Sequence, residues 1–158
     1  MATPDLMDGA VCLFRILLTN SEKPDSKPKN DSAGEGGTVA TNRLDVGGTL
    51  GYGDRLVSNS KEWTLLFEGN GNLVLYNNGT PYWQTDTTNN SSGTGSINAH
   101  LEGDGNLVVG REGGGPHLWK SGSNGFGAKS PYILVQDDGN VCLYDEEVEG
   151  CHWAARDI

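Results

Sequence analysis

A nine-residue segment recurs three times at a constant spacing in this chain. Its copies occupy residues 68–76, 102–110 and 136–144, and each copy starts 34 residues after the one before. A tryptophan follows each copy, at Trp83, Trp119 and Trp153. A fixed period of this length indicates a repeat architecture, because a single short unit cannot bury its hydrophobic face alone. The chain is therefore expected to fold as three similar units that share one core.

Each copy carries a turn dipeptide that is typical of β-hairpins: Asn70-Gly71, Asp104-Gly105 and Asp138-Gly139. A two-residue loop would mix polar and apolar residues on both faces of the hairpin. A three-residue loop with Gly in the left-handed conformation separates them, so that one face is entirely apolar. The residues predicted on these inner faces are Leu65, Phe67, Leu73, Leu75, Ala99, Leu101, Leu107, Val109, Ile133, Val135, Val141 and Leu143. The three faces should meet at one axis, filled by the three tryptophans, whereas Trp63 lies outside this pattern and fits either the core or a ligand contact.

The rest of the chain predicts one β domain with an N-terminal extension. Its 158 residues include 24 glycines and only 35% hydrophobic residues, as many short strands joined by glycine turns would require. We place the repeat domain at residues 38–158. The extension, residues 1–37, contains one apolar strand within Ala10–Leu18 and a polar linker.

The charge and the cysteines limit the class of protein. A net charge of −10 argues against nucleic acid and anionic membrane surfaces, because both require cationic patches. No apolar stretch is long enough for membrane insertion, and the acidic Asp5 and Asp8 do not fit a signal peptide. We therefore expect a protein that is cytoplasmic or released without a signal peptide. An odd number of cysteines favours free thiols, although a bridge between the last two stays possible; they are Cys12, Cys142 and Cys151.

The outer face of the third hairpin indicates a function. Gln136, Asn140 and Tyr144 surround the small Cys142, and the turn brings Asp138 to the same side. Carboxylates accept hydrogen bonds, whereas amides and phenols both donate and accept. A neutral sugar needs this combination, since its hydroxyls bond in both directions and its C–H face needs an apolar surface. The pattern therefore predicts a carbohydrate site.

The motif Gln136-x-Asp138-x-Asn140-x-Cys142-x-Tyr144 resembles the mannose-binding motif of the bulb-type lectins, the snowdrop-like lectins of monocots, which have Val in place of Cys142. The resemblance covers nearly the whole β region. It implies an all-β fold, the β-prism II, with three four-stranded antiparallel sheets around a pseudo-threefold axis. It also implies a carbohydrate-binding lectin that is not an enzyme and that recognises mannose-type sugars without calcium.

The resemblance also implies a role for each residue of the third copy. Asp138 and Asn140 would bond the 2-hydroxyl of mannose. Gln136 would reach the 3-hydroxyl and Tyr144 the 4-hydroxyl, while Cys142 would lie beneath the ring carbons as a small hydrophobe.

The other two copies depart further from the motif. The first consists of Glu68, Asn70, Asn72, Val74 and Tyr76, so that a Glu, which only accepts when ionised, replaces Gln. The second consists of Glu102, Asp104, Asn106 and Val108, with Gly110 where Tyr belongs, which removes a hydroxyl and a wall of the pocket. We rank the three copies as sugar sites in the order third, first, second, and the second could equally be only a structural hairpin.

Other chemistry finds little support in the sequence. The acidic turns do not continue into a calcium loop closed by Glu. The three histidines, His100, His117 and His152, have no metal-ligand spacing. No metal, no cofactor and no catalytic grouping is expected.

Assembly and an alternative function follow from the same resemblance. Shallow sugar sites gain avidity when several act together, and the family exchanges its C-terminal strand between protomers. We therefore expect a homodimer in which residues 151–158 form the contact. The alternative is a protein–protein interaction or toxin-like defence module that keeps the prism with degenerate sugar sites and docks through its N-terminal strand.

Overall fold

The computed structural model describes residues 41–88, 96–111 and 114–156, and every regular element in them is a β-strand. The expected N-terminal strand and linker within residues 1–37 lie outside this described part. The strands are β1 (Arg43–Asp45), β2 (Thr49–Leu50), β3 (Arg55–Val57), β4 (Trp63–Phe67), β5 (Leu73–Asn77), β6 (Thr80–Gln84), β7 (Ile97–Leu101), β8 (Leu107–Arg111), β9 (Trp119–Lys120), β10 (Pro131–Val135), β11 (Val141–Asp145) and β12 (Trp153–Ala154). No helix among these residues is long and apolar enough to cross a membrane.

The strands form three four-stranded antiparallel sheets, which confirms the predicted fold class. Their strand orders are β3-β4-β5-β6, β2-β7-β8-β9 and β1-β10-β11-β12. Each sheet is built on the hairpin of one repeat, and its last strand carries that repeat's tryptophan. The sheets of the first, second and third repeat are called sheets 1, 2 and 3 below.

The fourth strand of every sheet comes from one leading segment, residues 43–57. Its strands β1, β2 and β3 pair with β10, β7 and β4, so each joins a different sheet. Leu44, Leu50 and Leu56, six residues apart, are buried and lie opposite inward-facing residues of those sheets. This short segment therefore ties all three repeats together.

The core consists of the residues that the alternation of polar and apolar positions along the strands predicts. None of the twelve predicted inner-face residues exposes more than 1% of its surface. Trp83, Trp119 and Trp153 pack edge to face around the axis, with ring centroids 5.7–6.1 Å apart. Each of these tryptophans packs partly buried against the hydrophobic core, so their predicted role as axis fillers is confirmed.

The turns have the predicted three-residue loops. In the third repeat, Gln136 N donates to Asn140 O at 2.9 Å and Gly139 N donates to Gln136 O at 3.1 Å. The same pair of bonds occurs in the first and second repeats. The turn glycines Gly71, Gly105 and Gly139 have φ between 83° and 88°, in the left-handed region that glycine adopts without strain.

A buried carboxylate fixes the open end of the third hairpin, where β10 begins and β11 ends. Asp145 accepts hydrogen bonds from four backbone N–H groups, those of Lys129, Ser130, Glu147 and Val148, at 2.8–3.1 Å. Burial alone would raise the pKa of this carboxyl, but the four donors outweigh that effect and lower it. No local sequence pattern predicts this role of Asp145, because its partners come from both flanking loops.

The cysteines and the last strand correct or refine two expectations. Cys142 is buried and is not part of a disulfide, whereas Cys151 is disulfide-bonded. The expectation of free thiols is therefore wrong for Cys151. The possible bridge between Cys142 and Cys151 does not form, because Cys142 is not part of a disulfide. Strand β12 pairs with β11 of the same chain and completes sheet 3; exchange of this strand in a homodimer stays a prediction.

Candidate functional site

The third copy gathers its polar side chains on the outer face of sheet 3. Gln136 Nε2 donates to the Tyr144 hydroxyl at 2.7 Å, and Cys142 Sγ lies 3.4 Å from Gln136 Oε1. The strand alternation explains this grouping, because residues two apart share a face. Cys142 exposes only 1% of its surface. The apolar patch expected beneath the sugar is thus covered in this conformation, since the bonded Gln136 and Tyr144 side chains lie next to it.

Asn140 has a structural role that the sequence analysis missed. Its Oδ1 accepts from Val141 N at 3.0 Å and from Arg156 N at 3.2 Å, and its Nδ2 donates to Arg156 O at 3.2 Å. Asp138 Oδ1 accepts from Asn140 N at 2.9 Å, which fixes the turn. A carboxamide nitrogen carries two hydrogens, so the bond to Arg156 uses one of them. Asn140 therefore joins the turn to the segment after β12 while keeping the chemistry to bind a ligand.

The neighbourhood of Tyr144 keeps its phenol neutral. Burial raises the pKa of Tyr144 well above its ordinary value of 10.0, and the nearby Cys142 raises it further. Tyr132, directly across the strand pair, lies 5.8 Å away between ring centroids. The Arg43 guanidinium lies 3.7 Å above the Tyr132 ring. A neutral phenol both donates and accepts, as a sugar hydroxyl requires.

The first copy is assembled differently. Glu68 accepts from Asn70 Nδ2 at 3.0 Å through one carboxylate oxygen and from the Tyr76 hydroxyl through the other. The hydrogen bond to Glu68 is the main reason why the pKa of Tyr76 is raised. Asn72 Nδ2 donates to Gln84 Oε1 at 3.2 Å, and Val74 is buried beside it. The five motif residues are together, but Glu68 holds two of them by accepting their hydrogens.

The second copy has a histidine beside the place of the missing tyrosine. The His117 ring lies next to Gly110, since a Cβ built on Gly110 would be at ordinary contact distance, 3.5 Å, from His117 Cδ2. His117 Nε2 is 3.4 Å from Glu102 Oε1, and His100 Nε2 is 3.9 Å from the same oxygen. His117, a loop residue outside the repeated motif, thus lies beside the position of the absent tyrosine, and the loss of a pocket wall stays a prediction.

The fold brings two of the histidines together, although their spacing in the sequence indicates no common metal site. His100 and His117 pack edge to face with ring centroids 6.4 Å apart. Burial lowers the pKa of His100, and the nearby His117 lowers it further, while Glu102 opposes this. Asp104 and Asn106 form the same turn bond as in the third copy, at 3.0 Å, and Val108 is fully buried. The second copy thus has the same turn bond as the third but different side chains around it.

A hydroxyl pair supports the turns of the first and second copies. Thr87 Oγ1 donates to Gly71 O and Ser123 Oγ donates to Gly105 O, both at 2.7 Å. Thr85 and Ser121 donate to the motif asparagines at 3.0 Å. These contacts could have been predicted from the sequence, because hydroxyl residues recur two and four positions after the axial tryptophan in both repeats.

The third turn lacks this hydroxyl pair and uses an arginine. Arg156 Nη1 donates to Gly139 O at 2.7 Å, the bond that a hydroxyl makes in the other repeats. Trp63, which is 7% exposed, packs directly over Gly139, where an added Cβ would lie 2.1 Å from its ring. Trp63 is therefore a core residue, and it supports the turn of the third site from sheet 1.

Comparison with known proteins shows which proteins share this fold and sequence. No protein-family model matches the chain. A lectin from Allium sativum is 32% identical, with 69% of this chain and 98% of that chain covered and a TM-score of 0.58. The mannose-specific agglutinin from snowdrop (Galanthus nivalis), solved with methyl-α-D-mannoside, is 29% identical, with 69% and 94% covered and a TM-score of 0.58.

A curated relative agrees with the structural neighbours. The mannose-specific lectin of Aloe arborescens is 39% identical over 77 residues, which are 46% of this chain and 62% of that protein. The family follows from three observations: the three prism sheets, the three evenly spaced motif copies, and the similarity to solved lectins over 94–98% of their chains. The chain is a carbohydrate-binding lectin and belongs to the bulb-type lectin family.

Proposed function

We propose that this lectin binds mannose-type sugars without calcium, mainly through the third copy. The observation that carries the proposal is the arrangement on sheet 3. There Gln136 Nε2 donates to the Tyr144 hydroxyl at 2.7 Å, and the Cys142 thiol lies beside this pair. The hydrogen bond from Asn140 N to Asp138 Oδ1 fixes the turn. The first and second copies contribute weaker binding.

The chemistry of the third copy suits a neutral sugar better than the other two. Its Gln136 carries both a donor and an acceptor, whereas Glu68 and Glu102 offer only acceptors when ionised. The Glu68 carboxylate already accepts two hydrogen bonds from within its own copy. A sugar hydroxyl that must accept a hydrogen bond therefore finds its donor at Gln136.

Calcium independence is supported by the composition of the site. Neutral amide and phenol groups make direct hydrogen bonds to hydroxyls, so recognition needs no bridging cation. Relatives described as mannose-specific lectins support the choice of sugar.

The test is a titration with methyl α-mannoside, followed by calorimetry and by NMR, in the presence of EDTA. We expect binding that EDTA does not change. Tyr144→Phe removes the hydroxyl that accepts the hydrogen bond from Gln136 and should weaken binding about tenfold or more. Tyr76→Phe is the matched control in the first copy and should change the total binding much less.

Two results would overturn the proposal. If the wild-type protein shows no binding of mannosides at millimolar sugar, the chain is a lectin for another sugar or keeps only the fold. If Tyr76→Phe weakens binding more than Tyr144→Phe does, the first copy is the principal site. Circular dichroism of both variants checks that the prism remains folded.

A further inference from the structure

The first motif residue of the first and third copies contacts a tyrosine hydroxyl. The Tyr76 hydroxyl donates to Glu68, whereas Gln136 Nε2 donates to the Tyr144 hydroxyl at 2.7 Å. Each tyrosine is the fifth residue of its motif and lies on the outer face of its sheet. Such a pair offers hydrogen-bonding groups to a ligand that lies on the sheet. The second copy has Gly110 at the tyrosine position, so this hydroxyl is absent there.

His117 makes the corresponding contact in the second copy. Its Nε2 lies 3.4 Å from Oε1 of Glu102, which is the first residue of the second motif. The ring lies beside Gly110, because a Cβ built on that glycine would be 3.5 Å from His117 Cδ2 and 3.7 Å from His117 Cα. About a third of the His117 side chain is exposed, so a ligand can reach it. The loop between β8 and β9 thus brings a polar ring next to the motif position that tyrosine contacts in the other copies.

A second histidine faces the same carboxylate. His100 Nδ1 lies 2.9 Å from Asn98 Oδ1, and an amide oxygen only accepts, so this ring nitrogen carries the hydrogen. The other ring nitrogen, Nε2, lies 3.9 Å from Glu102 Oε1. Burial lowers the pKa of His100, although Glu102 opposes this effect. His100 therefore stays neutral to a lower pH than an ordinary histidine does.

The charges around the two histidines have both signs. Lys120 on β9 is in register with Val108, which pairs with His100 on its other side, so Lys120 shares the outer face of sheet 2. Asp104 lies in the adjoining turn, where its side chain bonds the backbone. The outer-face residues of β2 and β8 are uncharged. Lys120 disfavours a proton on the histidines, whereas Asp104 and Glu102 favour one. Glu102, within 4 Å of both rings, acts on them most directly.

We propose that His117 replaces tyrosine as a ligand-binding residue of the second copy, and that this copy binds mannose-type sugars more tightly once His117 gains a proton. Histidine is the side chain whose charge ordinarily changes between pH 5 and 8. A neutral imidazole donates through one nitrogen, whereas an imidazolium donates through both and forms stronger, charge-assisted hydrogen bonds. Its attraction to Glu102 holds a donor and an acceptor side by side. This inference rests on the proposed function, because it concerns a copy of the same sugar motif.

The first and third copies are internal controls for this pH dependence. None of their motif residues is a histidine. Carboxylates, amides and phenols do not ordinarily change charge between about pH 5.5 and pH 7.5. Sugar binding at these two copies should therefore stay constant over the range in which the second copy responds.

The experiment titrates the full chain with methyl α-mannoside at about pH 7.5 and about pH 5.5 and follows backbone amide shifts by NMR. The affinity reported by Asn106 and Val108 should be about fivefold higher at the lower pH, because a charge-assisted bond replaces a neutral one. His117→Gln keeps a neutral donor, so it should retain binding at the higher pH and lose the pH dependence. His100→Gln is the matched control and should keep the pH dependence.

The outcomes distinguish this inference from the proposed function. If the third copy binds the sugar while the second copy binds none, or binds equally at both pH values, the role of His117 is wrong and the mannose site stands. The role is also wrong if the pH dependence survives in His117→Gln or disappears in His100→Gln. If no copy binds the sugar at either pH, the proposed function and this inference both fail. Circular dichroism at both pH values checks that each variant stays folded.

Discussion

The third and first copies have the same hairpin backbone, but different side chains contact their turns. In the first, Thr87 bonds the turn carbonyl, and a Cβ on Gly71 would meet only Thr87 O at 3.5 Å. In the third, Arg156 bonds that carbonyl and the Trp63 ring lies against Gly139. The difference shows that the repeats share a hairpin but not the contacts around its turn, since the third turn alone of these two receives a ring from the neighbouring sheet.

The largest expected effect tests this support directly. Gly139→Ala places a Cβ 2.1 Å from the buried Trp63 ring at a φ of 83°, so it should lower the free energy of unfolding by about 3 kcal/mol or more. Gly71→Ala has a similar φ of 88° without such a clash and should cost about 1–2 kcal/mol. Urea denaturation of both variants measures the difference, and equal losses would show that Trp63 moves aside freely.

The next effect concerns the carboxylate that anchors the third hairpin. Asp145→Asn weakens the acceptor for four backbone N–H groups and should lower the free energy of unfolding by about 2 kcal/mol at neutral pH. The equivalent positions in the other hairpins are Asn77 and Arg111, so this anchor distinguishes the third repeat.

The pH dependence of this anchor follows from its lowered pKa. The carboxylate contributes stability above its ordinary pKa of 3.8, and that contribution is lost as the pH falls through the lower folded value. The difference in unfolding free energy between wild type and Asp145→Asn should therefore shrink below about pH 4. A difference that stays constant at acidic pH would contradict the anchor.

A smaller effect comes from exchanging one residue between the sites. Gln136→Glu gives the third copy the acceptor of the first, so mannoside affinity should fall about tenfold, which is near 1.4 kcal/mol. The reciprocal Glu68→Gln should strengthen the first copy, because it restores a donor to the pocket. NMR titration can assign each change to its own copy. No gain in Glu68→Gln would mean that Gln84 and the Asn72 contact, not Glu68, limit the first copy.

The smallest effect concerns the histidine beside the second copy. His117 is about a third exposed, so His117→Ala should change the free energy of unfolding by only about 0.5 kcal/mol. It should also abolish the sugar-induced NMR shifts at Asn106 and Val108, because the ring borders the proposed pocket. Shifts that persist unchanged would show that His117 is not part of the pocket.

Much of the architecture could be predicted from the sequence, because its signals are local. The alternation around each turn determines the inner faces, and Asp138-Gly139 determines the loop length. The support of the sites could not be predicted in this way. His117 reaches the second copy from a loop outside the motif, and Arg156 contacts Tyr82 although 74 residues separate them in the chain. Such contacts depend on how three sheets meet, which no local pattern encodes.

The leading segment of residues 43–57 has a consequence for how this chain folds. Its first strand, β1, pairs with β10, and the whole of the first and second repeats lies between these two strands in the sequence. Leu44 can therefore pack opposite Ile133 only when the third repeat is present. Contacts of such sequence separation slow folding, and a chain truncated before β10 would present β1 as an unpaired edge open to other chains. The three repeats are thus not modules to be added or removed one at a time. The fold closes only when the last repeat meets the first strand.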